Sequence, residues 1–91
     1  MLRLNCFIKV SSEHRAETLA AAKRLTTASL LQDGCIAYDI FESTTRPDVL
    51  MICETWRDQA ALDAHSASDI FATEVGRIQS IAEMKLESFV F

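Results

Sequence analysis

The sequence predicts an α+β fold in which strands and helices follow one another as β-α-β-β-α-β. Three observations carry this reading. Segments 2–10, 35–43, 49–56 and 82–91 have strand character. Stretches 13–32 and 58–81, the second in two pieces, have helix character. The chain has 91 residues, 49% of them hydrophobic and 24% charged, which suits one compact domain over 1–91 and leaves no room for a second.

Each element has its own local reason. In 2–10, Leu4, Cys6, Ile8 and Val10 alternate with Arg3, Asn5, Phe7 and Lys9, the period of a strand with one buried face. Ser11 and Ser12 are cap candidates for the helix that follows, with Glu13 placed for its first turn. Ala16, Leu19, Ala20, Lys23, Thr27 and Leu30 then recur at helical spacing, and Gly34 suits a left-handed stop just past the helix. Residues 35–43, CIAYDIFES, form the second strand, and TTRPD at 44–48 makes a turn around Pro47. The run 49–56, VLMICETW, is almost continuously apolar, as in a central strand buried on both faces. Asp58 is a cap candidate for a short helix through Ala60, Ala61, Leu62 and Ala64. SASD at 66–69 offers a second cap, before a helix over 69–81. Residues 82–91 alternate again and close the sequence as a strand.

That order is the ferredoxin-like split βαβ pattern, a four-stranded antiparallel sheet with helices on one face. Such a layer leaves the other sheet face uncovered, and segment 49–56 is apolar on both sides. Several hundred Å2 of wet apolar sheet is more than a lone subunit usually exposes. A second copy packed sheet to sheet is the simplest cover, so a homodimer is expected.

Composition narrows the function. The net charge is −4 and the nine basic residues are scattered, so no phosphate-binding patch exists and nucleic acid is not expected as a partner. No apolar stretch is long enough to span a membrane, and no basic helix face suits a membrane surface. The opening MLRLNCFIKVSS lacks a secretory pattern, and Cys6, Cys35 and Cys53 form no paired framework, so a cytoplasmic location is expected. No zinc spacing, nucleophile elbow or Gly-rich phosphate loop is present.

The segment Glu54–His65, ETWRDQAALDAH, carries most of the chemistry. Glu54 and Trp56 lie two apart and share one strand face. His65 follows Ala61 and Leu62 by one turn, which puts it on the apolar stripe of its helix. It serves either as a base or hydrogen-bonding group over an aromatic-floored pocket, or as a ring closing a short helix against its last carbonyls. Trp56 is the sole tryptophan, an anchor or a pocket wall. Asn5 is an amide in an apolar strand and serves a pocket or bonds at an edge; Tyr38 lines a cavity or fills the core. Glu54 needs a partner, with Arg57, Arg77 and Lys85 as candidates for an ion pair.

The run Glu54–Phe71, ETWRDQAALDAHSASDIF, resembles the antibiotic biosynthesis monooxygenase superfamily in its E-x-W, the histidine nine residues after the tryptophan, and the S-x-x-F that follows. The Gly34–Cys35 junction before a strand containing Tyr38 is similar too. The resemblance implies a dimeric α+β barrel of two ferredoxin-like subunits. Trp56 matches the pocket tryptophan of the phenol-oxidising members, while Ile52 and Leu62 stand where they carry an amide and a tyrosine. Asn5 aligns with the first-strand amide of the heme degraders, but His65 occupies their tryptophan position and no histidine follows it, so heme is not implied. The position of a second histidine in the quinol-type and signal-processing members is Ile70 here.

The resemblance thus implies a monooxygenase without heme, flavin or metal, acting with molecular oxygen on an aromatic or quinol-like small molecule. His65 would be the catalytic base; Trp56, Asn5 and Tyr38 would bind substrate. A dimeric module that only binds a small apolar ligand, and an isomerase- or tautomerase-like enzyme using His65 without oxygen, are the alternatives.

Overall fold

The computed structural model describes residues 1–91. Its elements are β1 (Leu2–Val10), α1 (Arg15–Ser29), β2 (Cys35–Glu42), β3 (Val49–Trp56), α2 (Gln59–Ser66), α3 (Asp69–Ile81) and β4 (Ala82–Val90). The four strands form one antiparallel sheet in the order β2-β3-β1-β4, the ferredoxin-like arrangement. β1 lies in the middle because both neighbours pair along its full length: Leu4 faces Glu54 of β3 and Ser88 of β4, and Cys6 faces Ile52 and Leu86.

The helices cover one face. Leu4, Cys6, Ile8 and Val10 of β1, with Leu50, Ile52 and Trp56 of β3, are buried against Ala21, Ala22 and Leu25 of α1 and Val75 and Ile78 of α3. Burying the leucine, isoleucine and valine side chains among them contributes roughly 1.5–3 kcal/mol each, so this layer dominates the stability. The other face carries Asn5, Phe7, Met51, Cys53, Phe41 and Phe89, brought side by side by the register. Phe7, Phe41 and Phe89 stay 37%, 49% and 48% exposed there, and on that side of β3 only Thr55 is buried, with Val49, Met51 and Cys53 half-buried, so the expected burial of 49–56 on both faces is not met within one subunit.

Element boundaries depart from expectation by two residues or more at three points, while β2 and β4 each end one residue early. Helix α1 spans 15–29 rather than 13–32. His14 is its N-cap without a side-chain bond, and the carbonyl of Ser11, not a serine hydroxyl, takes the His14 N–H. At the other end the helix stops at Ser29 with a right-handed Leu30 as its cap, so Gly34, at φ +80°, is not the helix stop expected but stands in the turn that leads into β2. A Cβ at position 34 would run into the Cβ of Ala61, so this approach needs both the left-handed backbone and the missing side chain. Finally, the cap of α3 is Ser68 rather than Ser66; its hydroxyl accepts from the Phe71 N–H. Asp58 caps α2 as expected, accepting from Ala61 N at 2.9 Å.

Candidate active site

Between the helix face of the sheet and the helices lies a cavity of about 230 Å3. Leu4 and Cys6 of β1, Ile52 of β3, Leu62 of α2, and Phe71 and Val75 of α3 give it an apolar lining, and Met84 and Leu86 of β4 flank it. Its polar groups are few: Tyr38, Glu54, His65, Ser66 and Gln79. No lysine or arginine lines it.

His65 reaches this cavity from the last turn of α2, where the helix stripe turns it inward, and it is 1% exposed. Its ring stacks at 4.5 Å on Trp56, with Phe71 at 5.2 Å and Tyr38 at 5.7 Å between ring centres. Nδ1 lies 2.7 Å from Oε1 of Gln32. Nε2 is buried with no hydrogen-bond partner, 3.9 Å from Oε1 of Glu54. Burial disfavours the charged imidazolium and lowers the pKa to about 4, so the ring is neutral at pH 7.

Glu54 is 6% exposed, beside His65 on the sheet side. Burial raises its carboxyl pKa, while hydrogen bonds from the Trp56 indole and the Tyr38 phenol pull it back in part. The Trp56 Nε1–H donates to Oε1 at 2.9 Å. None of the expected cations meets this carboxyl. Arg57 pairs with Asp33 and Asp58, Arg77 pairs with Glu74, and Lys85 sits opposite Phe7 on the open face. The same desolvation, reinforced by the Glu54 charge, pushes the Tyr38 phenol up and moves the Cys6 thiol to about 11, so neither is ionised near neutrality. The arrangement can take a proton at His65 Nε2 and hold or return one at Glu54, in surroundings poor in water.

The residues singled out in the sequence are not all gathered here. His65 and Tyr38 line the cavity. Trp56 is fully buried behind His65 and backs its ring instead of walling the cavity. Asn5 does not reach the cavity at all: strand alternation turns it to the open face between Cys53 and Glu87, while its neighbours Leu4 and Cys6 point inward. Gln32 and Ser68, which hold His65 from the side, were not legible as site residues. Gln32 was read as the end of a helix over 13–32 but lies in the turn after it, and the capping signal fell on Ser66, not on Ser68.

A ferredoxin-like sheet with one helix layer, an apolar cavity and a neutral buried histidine beside a carboxyl defines a small pocket protein equipped for proton transfer. The chain belongs to the antibiotic biosynthesis monooxygenase family, whose family model matches residues 1–75. It is 30% identical over 87 residues to "Putative monooxygenase YcnE" of Bacillus subtilis (strain 168), covering 96% of this chain and 92% of that one. It is also similar to a crystal structure of a conserved protein of unknown function from Bacteroides thetaiotaomicron, described as a possible oxidoreductase. There the TM-score is 0.98 at 54% identity, over 99% of this chain and 96% of the other. The fold is shared with SnoaB, a cofactor-independent oxygenase from Streptomyces nogalater, at TM-score 0.89 and 13% identity, covering 99% and 91% of the two chains.

Proposed function

We propose that the protein is a cofactor-independent monooxygenase acting on a small aromatic or quinol-like substrate, working as a homodimer in the cytoplasm. The observation that supports this most is the unpartnered Nε2 of a neutral His65 at the wall of an apolar cavity. A phenolic hydroxyl entering the cavity would find there a base, a neighbouring carboxyl, and no cation to hold an anionic group. An apolar cavity of about 150 Å3 accommodates benzene. The larger volume here suits one substituted ring or a compact bicycle better than an extended polycycle.

In this reading His65 Nε2 takes the hydroxyl proton, leaving an electron-rich anion. The anion gives one electron to molecular oxygen, and the resulting ring radical and superoxide join through a new C–O bond. The O–O bond of that peroxide then breaks. One oxygen stays as a carbonyl; the other leaves as water with the two hydrogens the substrate loses. The protein supplies the base, the orientation and the dry surroundings. Oxygen uptake with a panel of monocyclic and bicyclic phenols and quinols tests this, with product mass increased by one oxygen less two hydrogens. Retention of a ring compound without uptake would favour a binding module. Isomerised product without uptake would favour the tautomerase-like alternative.

A further inference from the structure

The hydrogen bonds around His65 form a chain that can be read atom by atom. Ser68 Oγ lies 2.6 Å from the backbone carbonyl of His65. A carbonyl only accepts, so the single hydroxyl hydrogen of Ser68 is committed there. Toward its other neighbours Ser68 Oγ can therefore only accept. It takes the Phe71 N–H at the start of α3 and faces the Gln32 side chain at 3.4 Å. The Gln32 atom on that side must then be the NH2 group. This turns the Gln32 carbonyl oxygen toward His65, 2.7 Å from Nδ1. A carbonyl oxygen at that distance requires a proton on Nδ1, and a neutral ring has only one. Nε2 is left with a bare lone pair, directed toward Glu54 at 3.9 Å.

We infer that Gln32 is a positioning residue: locked by Ser68, it fixes His65 in the Nδ1–H tautomer and keeps the Nε2 lone pair free at the cavity. The inference rests on the reading of His65 as the cavity base, and extends it to the residues that decide which nitrogen can act. With Gln32 absent, nothing on that side would hold the proton on Nδ1. The Nε2–H tautomer could then donate to Glu54, and the lone pair would turn away from the cavity.

The test is spectroscopic and needs no substrate. The ring nitrogens of His65 are observed by 15N NMR at pH 7.5 in the wild type, Gln32→Leu, Gln32→Glu and Ser68→Ala. The wild type is expected to show a protonated Nδ1 and an unprotonated Nε2. Gln32→Leu should move the pair toward the opposite tautomer. Gln32→Glu keeps an acceptor in place and should restore the wild-type pattern, and it also guards against loss of folding in the leucine variant. Ser68→Ala should give a mixture, because the amide is then free to turn over. A wild type protonated on Nε2, or a leucine variant with the wild-type pattern, would overturn the inference. Because no turnover is involved, failure of the oxygenase reading would show separately, as absent oxygen uptake beside an intact Nδ1–H pattern.

Discussion

The indole of Trp56 donates to the carboxyl of Glu54 at 2.9 Å, joining two residues that β3 places on one face. The bond satisfies the tryptophan's only polar atom and gives a buried carboxyl a donor where no cation reaches it. Trp56 also backs His65, so one side chain touches both Glu54 and His65. Trp56→Phe removes the donor and part of a fully buried ring. The expected loss is about 2–4 kcal/mol of stability, from lost packing and an unmet carboxyl. The Glu54 pKa should rise further. Chemical denaturation and the infrared carboxyl band read these two effects.

Substitution of His65 separates packing from chemistry. His65→Phe keeps an aromatic ring between Trp56 and Phe71, but it adds volume and leaves the Gln32 carbonyl without its donor, so a stability loss of about 1–3 kcal/mol is expected. It removes the lone pair altogether. Turnover on any panel substrate should fall roughly 100-fold or more, the usual worth of a positioned base. A phenylalanine variant that keeps wild-type oxygen uptake would defeat the assignment of His65.

Most of the fold was legible because local signals and packing agree. The alternation in 2–10, the strand limits of 49–56 and the Asp58 cap each survive assembly unchanged, while the two-sided burial expected of 49–56 does not. The limits of α1 were not legible, since residues 30–32 continue its composition yet belong to the turn before Gly34, whose close approach to Ala61 of α2, 27 positions away, no local pattern shows. In the site, Glu54 was expected to find a cation. It finds an indole on its own strand, because the carboxyl and Trp56 are alternate residues turned the same way. Asn5 was read by residue type, yet the alternation of its own strand already placed it with Phe7 and Lys9 on the far face. Gln32 acts through a turn, and only the folded chain shows which way its amide points.

Gly34 offers a check on the junction that sets Gln32 beside His65. Its φ of +80° and the proximity of Ala61 leave no space for a methyl group. Gly34→Ala is expected to lower stability by more than about 1 kcal/mol. The His65 nitrogen pattern should broaden as α2 is pushed from β2. Thermal unfolding and the same NMR spectrum report on this.

The open sheet face bears on assembly. Phe7, Phe41 and Phe89 stand exposed on it, with Met51 and Cys53 between them. A sheet-to-sheet homodimer burying more than roughly 1,000 Å2 is expected. Phe7→Lys puts a charge opposite Met51 and beside Lys85, and should weaken the dimer at least tenfold. Sedimentation at micromolar concentration distinguishes the outcomes, and a wild-type monomer there would remove the dimer from the reading.

The last prediction concerns acid. His65 titrates near pH 6.5 when unfolded and near 4 when folded, because burial resists the charged ring. Between those values the unfolded chain binds the extra proton and the folded chain does not. The stability contributed by the neutral ring is therefore fully present above pH 6.5, and is lost as pH falls from there toward 4. A shift of this size corresponds to at most about 3 kcal/mol. Glu54 acts in the opposite sense: its raised carboxyl pKa favours the folded state at low pH and weakens it as pH rises. The wild-type curve contains both, so the informative quantity is the difference between wild type and His65→Phe. That difference should decline in favour of the variant from pH 7 to pH 4, and should be flat above pH 7. Urea titrations at half-unit pH steps measure it. A flat difference across the whole range would mean that His65 keeps an ordinary pKa, and that the ring is far better solvated than its burial indicates.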